Sequence, residues 1–134
     1  MIIFRTRNND EGSITALVVV LAMTFVACAG LAVDGGRLVA AKVELGDHAE
    51  NAARVGAQEV TSLRSGSPEI NESKAVYAAN EYLSTHGIDG EVQVDNNDVI
   101  VRVSRYIPMT LLSLFGVSGK TLSAQRSATP VDGS

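Results

Sequence analysis

The sequence predicts an α+β fold. It comprises an N-terminal transmembrane helix continuing into a long amphipathic helix, a second short helix and a small antiparallel sheet. Three observations carry that expectation. Mean hydropathy is slightly positive although 19% of the residues are charged, so the apolar residues must be bunched. They are: no charged residue and no proline occurs from Ser13 to Val33. Apolar residues then recur at helical spacing beyond Asp34, and valines alternate with polar residues on either side of Asn96-Asn97.

The run SITALVVVLAMTFVACAGLAV, residues 13–33, has the length needed to span a bilayer. An apolar core of about 30 Å takes roughly 20 helical residues. Arg5 and Arg7 precede the run and Asp34 closes it. Basic flanks stay cytoplasmic, which predicts the N-terminus inside and the remainder outside. Asp10 and Glu11 weaken that asymmetry little, because acidic residues count little in the rule. Ala27-Cys28-Ala29 has the form of a signal cleavage site, and Cys28 invites a lipoprotein reading. However, the apolar run is longer than a cleavable signal and continues past Cys28, and Phe25 stands where a lipobox takes Leu. A retained anchor is therefore the expectation.

After Asp34-Gly35-Gly36 no proline interrupts the chain until Pro68. Spacing residues by 100° puts Leu38, Ala41, Leu45, Ala49, Ala52, Ala53, Gly56, Val60 and Leu63 on one face. Asp47, Glu50, Asn51, Arg54 and Gln58 fall opposite. Leu31 shares the apolar stripe, so a single rod from Ser13 to Leu63 is expected, roughly 75 Å long. Gly35-Gly36 is its expected kink. Ser65-Gly66-Ser67-Pro68 ends the rod, a second helix is expected over 68–86, and Gly87 suits the residue that follows a helix. Val92 and Val94, then Val99, Val101 and Val103, form a hairpin about Asn96-Asn97. Pro108 argues against a central strand in the apolar stretch 107–117, which reads as a short helix or packed loop. A last strand over 121–127 completes the sheet. The resulting organisation is a 1–12 cytoplasmic leader, a 13–33 span, a 34–128 extracytoplasmic domain and a 129–134 flexible tail.

Composition excludes several functions. Beyond the span the chain holds nine Lys or Arg against thirteen Asp or Glu. That balance opposes binding to nucleic acid or to an anionic lipid surface. No cysteine follows Cys28, so the outer part folds without disulfides. No catalytic, cofactor-binding or metal-binding constellation appears, and no small-molecule substrate is expected. His48 and His86 stand alone in sequence, and Asp47 with Asn51 reads as a solvated helix face. Asp95-Asn96-Asn97-Asp98 reads as a turn rather than a calcium loop. Gly119-Lys120-Thr121 lacks the earlier glycine of a phosphate loop, and Asn71-Glu72-Ser73 matches a glycosylation sequon by pattern only.

Two features go further. Gly12-Ser13, between a polar leader and the apolar helix, resembles a prepilin peptidase site, although Leu17 stands where prepilins carry Glu. Ala49, Ala52, Ala53, Gly56 and Ala57 permit close approach, either to the protein's own sheet or to another subunit's helix.

In this order the features resemble the tight-adherence (Tad) pilus assembly proteins of the TadE/TadG-like family. The start carries Arg5, Arg7 and Gly12, and the membrane exit reads Gly30-Leu31-Ala32-Val33-Asp34-Gly35-Gly36-Arg37. The alanine-rich stretch His48-Ala49-Glu50-Asn51-Ala52-Ala53-Arg54-Val55-Gly56-Ala57 follows, with Glu50 where the family has Asp. The resemblance implies a pilin-like, non-enzymatic structural or assembly component of a bacterial Tad-type pilus or related secretion apparatus. It also implies a place in the bacterial cell membrane and, as partners, other pilus or pseudopilin subunits or platform proteins. Leu17 leans toward members whose helix remains an anchor, and a role as initiator, tip or anchor stays open. The rival is a single-pass accessory or sensor subunit whose outer domain binds a ligand or envelope partner.

Overall fold

The computed structural model describes residues 10–61 and 68–131. Arg5, Arg7, Leu63, the 65–67 part of the expected stop and the end of the 129–134 tail lie outside them. The element order is α1 (Asp10–Ala57), α2 (Glu72–Thr85), β1 (Asp89–Asp95), β2 (Asp98–Pro108), a 3-10 turn (Leu112–Phe115) and β3 (Gly119–Ala128). The class is α+β. The three strands form one antiparallel sheet in the order β1-β2-β3, and α1 and α2 cover one of its faces.

The helix α1 has 48 residues, a length of roughly 72 Å at 1.5 Å per residue. It runs through Gly35-Gly36 without a break. An added Cβ at either glycine would meet nothing within 4 Å, so neither is there for close packing. The helix also stops at Ala57, short of the expected Leu63. From there the chain turns extended. Val60 bridges Ile70, the Thr61 amide donates to Glu69 O, and the Asn71 amide donates to Glu59 O. β-branched Val60 and Thr61 suit that extended path.

This bridge also moves the start of α2. The sequence points to Pro68, but the Pro68 carbonyl accepts from Asn97 Nδ2 (2.9 Å) and the Ile70 amide donates to Asn97 Oδ1 (2.8 Å). The helix begins only after Asn71, whose Oδ1 caps it by accepting from the Lys74 amide. At the other end Gly87 takes φ +64° and the Ile88 amide donates back to Leu83 O, a left-handed helix stop.

Asn96 and Asn97 adopt φ of 47° and 70°, the geometry of a two-residue turn whose twist matches the strands. Asn97 thus both makes the turn and ties the 68–70 segment to it. Val99, Val101 and Val103 are fully buried on the helix side, while Arg102 and Ser104 face solvent. β2 is the central strand and enters the 107–117 stretch by only two residues, ending at Pro108 opposite Gly119, while the rest of that stretch forms the short helix and loop expected of it. Proline is tolerated there because the ladder ends with it, and the Met109 amide continues the connection by donating to Ser118 O. The final strand starts two residues earlier than the alternation suggests. Beyond it Thr129 Oγ1 donates to Asp98 Oδ1 (2.6 Å).

The core joins Leu45, Ala49, Ala52 and Ala53 of α1 to Ala75, Ala79 and Leu83 of α2 and to the three β2 valines. Leu38 and Val60 are half-buried, and Leu31 is exposed although it shares their stripe. Apart from Leu45 and Leu83, the helix side chains in this core are alanines, and the strand side chains opposite them are chiefly β-branched. The layers therefore approach closely, which is how a sheet of only three strands gains a dry face.

Candidate functional site where the head meets the apolar segment

The α1 helix divides by environment. From Gly12 to Ala29 its residues are exposed, apart from half-buried Ala27, and they include Leu17, Val18, Leu21, Met23 and Phe25. This stretch makes α1 the single helix, among the described residues, long and apolar enough to cross a membrane. From Asp34 to Ala57 the same helix carries the sheet and α2, here called the head.

The junction is built on one helix face. Gly30, Asp34 and Arg37 follow one another at helical spacing and continue the stripe of Ala41, Leu45 and Ala49 toward the N-terminus. The segment between β2 and β3 descends onto this face. Asp34, 1% exposed, is the buried charged residue among those described. Its Oδ1 accepts from the Thr110 amide (3.0 Å), and its Oδ2 accepts from Leu111 (2.9 Å) and Leu112 (2.8 Å). Those amides open the 3-10 turn and have no partner within it. Asp34 therefore caps, from a distant element, a turn whose own preceding residue Leu111 offers no side-chain acceptor.

Arg37 Nη1 lies 3.9 Å from Asp34 Oδ1 and also donates to Thr110 Oγ1. Asp34 is the first residue beyond the apolar run. The Leu112 amide above all, with Thr110, Leu111 and the Arg37 charge, holds its carboxyl below the usual carboxylate range against the opposing effect of burial. Below it, an added Cβ on Gly30 would stand 3.3 Å from Leu111 Cβ and 3.4 Å from Leu112 Cδ2, so glycine lets the turn settle on the helix.

Further along α1 the head is tied by Lys42 Nζ donating to Ser123 O, by Arg105 Nη1 paired with Glu44 (3.3 Å), and by the Arg126 side chain lying over Gly46. At the far end an added Cβ on Gly56 would meet Ala75 O and Val99 Cγ1, both at 3.0 Å. The small-residue stripe from Ala49 to Gly56 therefore faces the protein's own second helix and sheet. Gly35 is half-buried and Gly36 exposed, while Gly12 and Ser13 sit exposed near the start of α1.

Residues 12–59 match the Tad family model, Flp pilus-assembly TadE/G-like. The matched stretch contains the apolar run, the Gly30, Asp34 and Arg37 face and the stripe through Gly56. The resemblance drawn from those residues and this match name the same family over the same part of the chain. No curated protein and no solved structure gives a significant match. The TadE/G-like segment ends at the bridge after α1, leaving α2 and the sheet outside it.

A second cluster escaped sequence reasoning. His48 and His86, 38 positions apart, meet over Tyr82. His48 Nδ1 lies 3.3 Å from the Tyr82 hydroxyl, and the Tyr82 and His86 rings stack at 4.1 Å. Glu44 Oε1 is 3.8 Å from His48 Nε2. Among the described residues no group of three or more His, Cys, Asp or Glu is placed to hold a metal ion. The cluster packs α2 against α1. Gly119-Lys120-Thr121 lies in β3 rather than at a helix start, and Asn71 is a helix cap.

Proposed function

We propose that this chain is a membrane-anchored structural component of a Tad-type pilus or related secretion apparatus, acting through helix-mediated packing with other subunits. The observation that supports this most is the coincidence of the TadE/G-like match with α1. The matched residues are both the segment able to cross a membrane and the helix onto which the head is built. Because the head itself occupies the Asp34–Ala57 half of the stripe, subunit packing falls to the exposed apolar half, around Ala16 to Ala29. There, small residues among larger ones allow helices to approach in lipid.

In this reading the head lies outside the cell membrane, because Arg5 and Arg7 precede the span. Alkaline phosphatase fused after Ser134 is expected to be active in intact cells. A cytoplasmic reporter active at that position would reverse the orientation. The leader is a separate question. Intact-mass measurement is expected to give either the full chain or a product beginning at Ser13, whereas a product beginning at Cys28 or Gly30 would remove the anchor. Cross-linking from cysteines placed at Ala16 and Val20 is expected to capture pilus or platform proteins. Capture of a soluble envelope protein by the head alone would favour a sensor or accessory subunit.

A further inference from the structure

We propose that the 3-10 turn between β2 and β3 is a second membrane contact, with Leu114, Phe115 and Val117 entering the outer interface of the bilayer beside the span. This rests on the reading of residues 13–33 as membrane-embedded.

Position along α1 is the first argument. Leu111 and Leu112 pack on Gly30, which lies inside the apolar run and three residues before its end at Val33. At 1.5 Å per residue the turn therefore reaches roughly 5 Å below the end of the run. An apolar surface at that depth meets the boundary between headgroups and acyl chains, where interfacial segments bury about 5–10 Å.

Surface chemistry is the second. No charged residue lies between Arg105 and Lys120. Leu114 is 74% and Phe115 51% exposed, and Val117 is exposed as well. On α1 the neighbouring Leu31 and Val33 are exposed too. The exposed apolar side chains of the turn follow directly on Leu111 and Leu112, which rest on Gly30 within the apolar run, so lipid around the span lies beside the turn.

The backbone is the third. A segment entering lipid must satisfy its own amides, since water is not there to do so. Thr110, Leu111 and Leu112 donate to Asp34, Leu114 donates to Leu111 O, Gly116 to Ser113 O, and Val117 to Leu112 O. The Ser113 hydroxyl also donates inward, to Thr110 O (2.7 Å). An ordinary surface loop leaves such groups to water, whereas this one is internally bonded where its side chains are most apolar.

The chain contains no tryptophan, so single-tryptophan variants report without background. Full-length Phe115→Trp, Phe25→Trp and Tyr77→Trp proteins are placed in phosphatidylcholine vesicles with or without bromine on the acyl chains. Tyr77 is an exposed position on α2 in the head. Brominated lipid is expected to remove most of the emission of Phe25→Trp and of Phe115→Trp, the latter by bromines near the headgroup end of the chain, and to leave Tyr77→Trp unchanged. Quenching at Phe25→Trp without quenching at Phe115→Trp would overturn the second contact while leaving the anchor intact. Blue-shifted Phe115→Trp emission that bromine does not quench would also overturn it, by showing a protein surface over the turn. Absence of quenching at Phe25→Trp would overturn the anchor and the inference together.

Discussion

Gly56→Leu is expected to unfold the head at a markedly lower temperature than the unaltered chain. In the native packing Gly56 is enclosed by three elements. An added Cβ alone would stand 3.0 Å from a backbone oxygen of α2, 3.0 Å from Val99 Cγ1 on the central strand and 3.5 Å from Ala79 Cβ. A leucine adds three further carbons on that same side, and the backbone oxygen cannot rotate away. Overpacking of this kind costs about 1–3 kcal/mol, out of about 5–15 kcal/mol for a whole domain. For a head of this size the corresponding fall in Tm is on the order of 4–20 °C. Gly35→Ala is the contrasting change. Its added methyl meets nothing within 4 Å, and alanine improves on glycine inside a helix by about 1 kcal/mol. Thermal melts of the full-length protein in detergent, with limited proteolysis as a second readout, compare the two. A Gly56→Leu head that melts with the native one would contradict the close approach of α1, α2 and β2.

Periodicity makes that face of α1 legible in the sequence. Leu45, Ala49, Ala52, Ala53 and Gly56 recur at helical spacing, and all are buried. Small residues on such a stripe allow close approach, but they do not say to what. That Gly56 meets Ala75 and Val99 depends on contacts between residues far apart in sequence, and no local pattern records them. The hairpin is legible for a local reason, because Asn96 and Asn97 tolerate positive φ between two sets of alternating valines. The same locality misleads at three boundaries. Asn97 side-chain bonds capture the 68–70 segment and delay α2 to Glu72, β-branched residues after Ala57 turn the chain into a bridge, and Pro108 is accommodated as a strand end. The pairing of His48 with His86 is likewise invisible in spacing, since Tyr82 brings them together only once α2 lies on α1.

Asp34 illustrates the deeper limit. A hydrophobic pattern passes over it because it is charged, and a membrane-topology rule reads it merely as the residue that closes the span. Yet it occupies the stripe between Gly30 and Ala41 and holds three amides 76 to 78 positions away. A carboxylate can do this in a buried place because ionised oxygen accepts strong hydrogen bonds and Arg37 stands 3.9 Å off. Asp34→Ala removes every acceptor and leaves the partly buried Thr110, Leu111 and Leu112 amides without their partners, which costs a hydrogen-bonding group most where water reaches it least. The expected result is local rather than global. The core around Leu45 and Val101 is untouched, so the sheet persists, while the turn lifts from Gly30. In hydrogen exchange on the full-length protein in lipid nanodiscs, protection of those three amides is expected to fall by about tenfold or more, with that of Val99, Val101 and Val103 preserved. Asp34→Asn, which keeps one acceptor oxygen and the side chain's shape, is expected to fall between the two. Arg37→Gln removes a supporting charge and no acceptor, so its loss is expected to be smaller than that of Asp34→Asn. Equal protection at Thr110 to Leu112 in Asp34→Ala and the native chain would mean that the turn is held by Gly30 packing alone, and the carboxylate would then have no part in seating the head on its anchor.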